Sequence, residues 1–180
     1  MVIDEKSSNN YIHDYFEKEF IITDTSNKNY DEVVAFNQNI LFADNNLKYK
    51  TIPFEISIVA FFENCRPIKR DSVEPQYHGL AQNFYLEPIK PEKEFEKNLS
   101  GIIINISGLG NKENGIYMIY ESQPIPQTIT VDNNRYIFNL RHKRTFLPFY
   151  IELIDFKKIL HPGTEIPKSF SSEVNIIENN

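Results

Sequence analysis

Alternating apolar and polar positions dominate the chain from residue 47 onward, and they predict β-strands. In "TIPFEISIVAFF", residues 51–62, apolar side chains recur at every second position from Ile52 to Ile58, the period of a half-buried strand. "LSGIIINISG", residues 99–108, is a continuous apolar run that predicts a buried strand, and "GIYMIYESQ", residues 115–123, predicts another. Short strands separated by turns about ten residues apart predict a mainly β protein, an antiparallel β-sandwich or open barrel.

Turn-forming residues connect these strands. "QTITVDNNRYIFNL", residues 127–140, predicts a hairpin through Asp132, Asn133 and Asn134, because Asn and Asp tolerate the positive φ that a tight turn needs. "HPGTEIP", residues 161–167, predicts a turn before a last strand at "SFSSEVNII", residues 169–177.

The segment 63–97 is rich in proline, which excludes a long helix through it. Its four prolines are Pro67, Pro75, Pro88 and Pro91. We expect an irregular excursion with one short strand at "AQNFYLEPI", residues 81–89.

The first 46 residues have an ambiguous pattern. The aromatic residues Tyr11, Tyr15, Phe16 and Phe20 recur at helical spacing and predict a minor N-terminal helical part, although they could equally form an apolar cover for the core. The chain is therefore divided into an N-terminal segment of uncertain structure, residues 1–46 and partly helical, and a β domain, residues 47–180.

One apolar phrase occurs twice, as residues 51–62 and again as "FLPFYIELIDFK", residues 146–157. Alignment of the two places Pro53 on Pro148, each directly followed by phenylalanine. Because proline lacks the N–H that a central ladder needs, we expect each phrase to enter its sheet at the proline. An internal duplication would give two similar halves, and chance recurrence in a chain rich in Ile and Phe is the alternative.

Length and charge narrow the class of protein. A chain of 180 residues suits one domain or two small layered halves, and its net charge of −6 argues against nucleic acid as a partner. No apolar run approaches the roughly 18 residues of a membrane span, and the start of the chain lacks the pattern of a signal peptide. Both ends are polar, as expected for a domain cut from a longer protein at its linkers or for the frayed termini of a small one.

Residues that could carry chemistry are few. His13, His78, His142 and His161 do not fall in a metal-ligand spacing, so the sequence predicts neither a metal site nor a cofactor site. "GLGNKENG", residues 108–115, lies between two strands and predicts a turn instead of a phosphate-binding loop. No catalytic residue is predicted, and enzymatic activity of this domain itself is not expected.

Two features are candidates for a functional site. Cys65 could take part in thiol exchange, because the neighbouring Arg66 favours the thiolate, and the alternative is an inert thiol at a strand end. The run Arg141, His142, Lys143 and Arg144 is a candidate docking patch for lipid headgroups, haem propionates or an acidic partner. The alternative is that these charges lie on an exposed edge strand and prevent it from pairing with a strand of another molecule.

The stretch "KRTFLPFYIELIDFKKILHPGTEIPKSFSSEV", residues 143–174, resembles the ResB-like (CcsB) family of system II cytochrome c biogenesis. The matching positions are Leu147, Pro148, Phe149, Leu153, Asp155, Phe156, Pro162, Gly163, Ser169, Phe170, Ser171, Ser172 and Val174. "GIYMIYESQPIPQTI", residues 115–129, is also similar to members of that family, and the first proline-led phrase fits an earlier strand of it. Residues 1–50 and 63–97 carry no part of the resemblance.

The resemblance implies an extracytoplasmic scaffold domain on the periplasmic face of the bacterial inner membrane, held by flanking transmembrane helices that this chain lacks. Family members act with a CcsA-type partner or fused half to move haem across the membrane. The parent complex resembles a holocytochrome c synthase, which attaches haem to apocytochrome c. The domain would dock the haem-handling partner half and apocytochrome c, and no haem ligand is transferred to any of the four histidines. The alternative function is a free-standing β-sandwich binding module of the cell envelope.

Overall fold

The computed structural model describes residues 3–42, 46–110 and 113–178, and it is mainly β, with 59% of residues in strands and 6% in short helices. The strand pairs in its three sheets are antiparallel. The predicted fold class, mainly β and antiparallel, is therefore confirmed.

Strands follow one another through the described part of the chain with only short 3-10 helices between them. The strands are β1 (Ser8–Asp24), β2 (Glu32–Asn37), β3 (Asn46–Leu47), β4 (Glu55–Phe62), β5 (Cys65–Lys69), β6 (Phe84–Pro88), β7 (Gly101–Ser107), β8 (Gly115–Tyr120), β9 (Gln127–Val131), β10 (Asn134–Leu160) and β11 (Pro167–Glu178). The 3-10 helices are Gln38–Ile40, Gly79–Gln82 and Phe95–Lys97. One sheet has the order β11-β10-β1-β2 with β9 also beside β10, a second has the order β3-β4-β7-β8, and β5 and β6 form a third.

The chain forms two compact units. Unit 1 comprises Met1–Asp14 and Arg144–Asn180, and unit 2 comprises Tyr15–Lys143. The long strands β1 and β10 each contribute a stretch to both units. These bounds differ from the predicted division into residues 1–46 and 47–180.

The main core of unit 2 lies between two sheets. Phe20 and Phe138, from β1 and β10, are fully buried and stack with ring centroids 6.0 Å apart. From the other sheet, Ile56 and Ile104 of β4 and β7 belong to the same buried cluster. Burial of each such side chain is worth about 2 kcal/mol, so this apolar layer holds the two sheets together.

The second face of the β4-β7-β8 sheet carries a smaller core. Successive residues of a strand point to opposite faces, so Ile102 and Ile104 enter the main core while Ile103 packs against the second cluster. That cluster comprises Cys65, Ala81, Leu86 and Met118. The proline-rich segment 63–97 thus covers this face, with the predicted short strand present as β6 and no long helix.

The predicted turns are confirmed. Asp132 and Asn133 have φ of 49° and 68°, the left-handed pair of a two-residue hairpin turn between β9 and β10. Residues 108–114 connect β7 and β8, with residues 111 and 112 outside the described residues, and residues 161–166 form the turn before β11.

The predicted N-terminal helical part is wrong for residues 11–20, which lie in β1. Side chains on both faces of this strand are buried near its end, Phe20 and Ile22 on one face and Ile21 on the other. Residues 11–17 are half-buried or exposed and residues 18–22 are buried on both faces, so the strand lacks the simple alternation that marks a strand in the sequence. Pairing in the sheet overrides the weak helical spacing. In the described part of residues 1–46, helical structure is confined to the 3-10 turn Gln38–Ile40.

The two proline-led phrases lie in different surroundings. Pro53 precedes β4, which begins at Glu55, as expected. Pro148 lies inside β10, so its prediction as a strand start is wrong. In the described residues the ladder between β10 and β11 begins at Phe149, so the missing N–H of Pro148 costs none of those bonds. Phe54 is buried in the main core, whereas Phe149 is only half-buried.

Candidate functional site

Most of the stretch 143–174, on which the family resemblance mainly rests, lies in a two-stranded ribbon in unit 1. The second half of β10 pairs with β11 in antiparallel register, with Ile151 opposite Ile176 and Phe156 opposite Ser172. A bulge after Leu153 inserts one extra residue into β10 and shifts the register by one, so Phe156 lies on the same face as Leu153.

This register makes the ribbon amphipathic, because residues two apart on a strand share a face. The apolar ribbon face is the face that carries Ile151, Leu153, Phe156, Phe170, Val174 and Ile176, and Ser172 and Lys158 lie among them. The opposite face has an Asp155–Lys157 ion pair of 2.7 Å and a hydrogen bond of 3.2 Å that Asn175 donates to Glu152, and it also carries Ile159 and Ile177. The hydrogen bond and charge of Asp155 raise the pKa of Lys157.

The apolar ribbon face is open to solvent. Phe170 is 61% exposed and Ile176 65% exposed, and every residue of β11 is exposed. β11 is also the end strand of its sheet, so its outer backbone row has no neighbouring strand among the described residues. An exposed apolar face beside an unpaired strand edge is typical of a surface that docks another protein.

The predicted docking run 141–144 makes intramolecular ion pairs on one face of β10. In unit 2, Arg141 Nε lies 2.8 Å from Glu19 Oε1, and Lys143 Nζ lies 2.6 Å from Glu17 Oε2. Both acids belong to β1, the strand beside β10. These two positive charges are therefore already neutralised by carboxylates of the same chain.

His142 points to the other face, into a half-buried cluster with Lys18 and Glu121. Lys18 Nζ lies 2.9 Å from Glu121 Oε1 and 3.0 Å from His142 Nδ1, and His142 Nε2 lies 3.0 Å from Glu121 Oε1. The ammonium of Lys18 also lies 3.1 Å from His142 Nε2, so it contacts the imidazole at both ring nitrogens. The sequence reasoning missed Lys18 and Glu121.

Arg144 belongs to unit 1, where its guanidinium carbon lies 4.1 Å from the ring centroid of Tyr11. Every member of the run therefore has an intramolecular contact, and docking through it stays a prediction. The sequence does hold a signal for these ion pairs. Acidic residues at positions 17 and 19 match basic residues at positions 141 and 143, as expected for two antiparallel neighbouring strands.

Cys65 opens β5 and lies in the smaller core, 1% exposed, with its Sγ donating to the carbonyl of Leu99 at 3.3 Å. Burial raises the pKa of the thiol to about 11. A thiol with this pKa is almost entirely protonated at neutral pH, whereas thiol exchange requires the thiolate. The role of Cys65 in exchange stays a prediction, and the side chain packs as a small apolar group.

Cys65 is expected to react slowly with 5,5′-dithiobis(2-nitrobenzoate). A rise in pKa from 9.0 to about 11 lowers the thiolate fraction at pH 8 about a hundredfold, and burial lowers access further. The measurement compares the rate for the native chain with the rate in concentrated urea, where the thiol is exposed. Equal rates in the two states would contradict this account and favour a role of Cys65 in thiol exchange.

The four histidines occupy separate elements. His13 lies in β1, His142 in β10, His78 before the 3-10 helix Gly79–Gln82, and His161 at the turn after β10. Within the described ranges, no group of three His, Cys, Asp or Glu side chains could hold a metal ion. No helix in that part of the chain has the length and apolar character that a bilayer crossing demands.

No protein-family model matches this chain, and no curated protein matches it. The resemblance of residues 143–174 to the ResB-like family therefore stays a prediction.

Proposed function

We propose that this chain is an extracytoplasmic scaffold domain of a membrane-bound cytochrome c assembly protein. In this proposal it acts by binding and positioning: it docks a CcsA-type haem-handling partner half, and apocytochrome c is a second candidate partner. It lies on the periplasmic face of the inner membrane, held there by helices outside this chain. Haem is handled by the parent complex and not by this domain.

The observation that carries the proposal is the apolar ribbon face. The segment 143–174, on which the resemblance rests, is the segment that exposes a row of apolar side chains beside an open strand edge. A partner that covers this face would bury Phe170, Val174 and Ile176, each now about half or more exposed. Burial of that area favours association, and pairing with the edge of β11 would fix its direction.

The chain by itself is not expected to ligate haem through a histidine. Titration of micromolar haem into the folded chain should give no shift of the Soret band to the position of a histidine-ligated haem, because the proposal places the ligands in the partner half. A stoichiometric ligated spectrum that one His→Ala substitution abolishes would contradict the proposal.

Hydropathy of the flanking coding sequence tests the proposal most cheaply. Apolar stretches of about 20 residues on both sides are expected for a domain held between transmembrane helices. A signal peptide before the chain and a stop codon after it would overturn the proposal and favour the free-standing binding module of the cell envelope.

A further inference from the structure

A small apolar cleft opens on unit 2, on the face of the β4-β7-β8 sheet that the proline-rich segment covers. Its floor is built by Ile103 of β7 and by Ile116 and Met118 of β8, and its volume is about 130 Å³. The residues that line it are Val59, Arg70, Tyr77, Ala81, Phe84, Tyr85, Leu86, Ile103, Ile116 and Met118. Arg70 is the one charged side chain among them.

Arg70 is held rigidly at this cleft. Its Nε donates to the carbonyls of Ala81 at 2.9 Å and Phe84 at 3.0 Å, and its guanidinium carbon lies 3.7 Å from the ring centroid of Tyr77. The two backbone bonds use Nε alone, so they leave the two Nη groups to other acceptors. A guanidinium that is already ordered loses little conformational entropy when it binds an anion.

Arg70 also lacks an acidic partner. Among the described residues, the ion pairs within 4.0 Å involve other cations, and Arg70 belongs to none of them. By contrast, Arg66 on the neighbouring β5 is paired with Glu87. A fixed, uncompensated cation on an apolar cavity is complementary to a ligand that joins a carboxylate to an apolar body.

We propose that this cleft binds a small apolar carboxylic acid, with the carboxylate on the Nη groups of Arg70 and the alkyl chain or ring on Ile103 and Met118. The cavity is smaller than the roughly 300 Å³ of a drug-sized site, so it suits a short alkyl chain or a single ring. Binding here does not depend on a role in cytochrome c assembly, because Arg70 and the cleft lie outside residues 143–174.

Isothermal titration with octanoate tests the site, with octanol and acetate as matched probes for the tail and the charge. Octanoate is expected to bind saturably. Octanol, which lacks the carboxylate, and acetate, which lacks the alkyl chain, are expected to bind at least about tenfold more weakly. Arg70→Gln should weaken octanoate at least about tenfold, whereas Arg66→Gln, which removes an exposed and paired arginine, should change it less than about twofold.

A second variant keeps the test decisive if Arg70→Gln does not fold. Val59 is half-exposed on the cleft wall, so Val59→Phe should fill the cleft, abolish octanoate binding and leave the melting temperature unchanged. The proposal is overturned if octanoate does not saturate up to about 10 mM, if octanol binds as tightly, or if a folded Val59→Phe binds octanoate as the parent does.

Discussion

Replacement of Phe138 by alanine is expected to lower the free energy of unfolding by about 4 kcal/mol. Phe138 is 0% exposed, it stacks on Phe20, and the ring of Phe54 meets its edge at 6.0 Å. The substitution removes apolar burial and leaves a cavity between two sheets that cannot close over it. Urea unfolding followed by tyrosine fluorescence measures the change, since the chain has ten tyrosines and no tryptophan.

The matched control is Phe170→Ala on the apolar ribbon face. Phe170 is 61% exposed, so little burial is lost, and we expect a change below about 1 kcal/mol. Equal losses at the two positions would mean either that the main core does not stabilise unit 2 or that Phe170 is buried in solution.

The second large effect is expected at Lys18. Its side chain is 8% exposed and pairs with Glu121, 13% exposed, at 2.8 Å. Lys18→Met would leave the Glu121 carboxylate largely buried without its ammonium partner, which costs about 3 kcal/mol in the free energy of unfolding. The same urea experiment measures it.

Two further variants separate an unpaired charge from a loss of packing. The double variant Lys18→Met with Glu121→Gln should be more stable than Lys18→Met alone, because no buried charge then lacks a partner. Lys48→Met removes an ion pair with Glu55 whose side chains are more than half exposed, and it should change stability by less than about 0.5 kcal/mol. A double variant less stable than the single one would show that the carboxylate is solvated and that the cluster is not a buried pair.

Local patterns in the sequence predicted much of the fold. The hairpin at Asp132 and Asn133 follows from two residues that accept positive φ, and β7 follows from an apolar run too short for a buried helix. The hairpin turn and β7 could be predicted because each depends only on residues close to one another in the sequence. The strand at residues 11–20 was missed because residues 11–17 are half-buried or exposed and residues 18–20 are buried on both faces, which leaves no simple alternation. Its pairing with β10, far along the chain, makes it a strand.

The candidate site was only partly predictable for the same physical reason. The positive run 141–144 is visible in the sequence, but its neutralisation by Glu17 and Glu19 depends on pairing across more than a hundred residues. Likewise, nothing in the sequence distinguishes Arg70 from the other basic residues. Only the fold shows that it lies on an apolar cleft and has no acidic partner there. The exposure of the ribbon was also hidden, because its alternating apolar pattern is the pattern of a strand in a covered core.

The yield of haem-stained c-type cytochrome tests the central claim most directly, in cells whose sole assembly protein contains this chain. A double variant with Phe170→Asp and Val174→Asp places two charges on the apolar ribbon face, and Ile125→Asp, at a position 74% exposed in unit 2, is the matched control. If the ribbon docks the partner half, the double variant should lower the yield about tenfold or more, because charges would be buried in the interface, while the control stays within about twofold. Full yield from the double variant, with the protein folded and present at the normal level, would contradict the account.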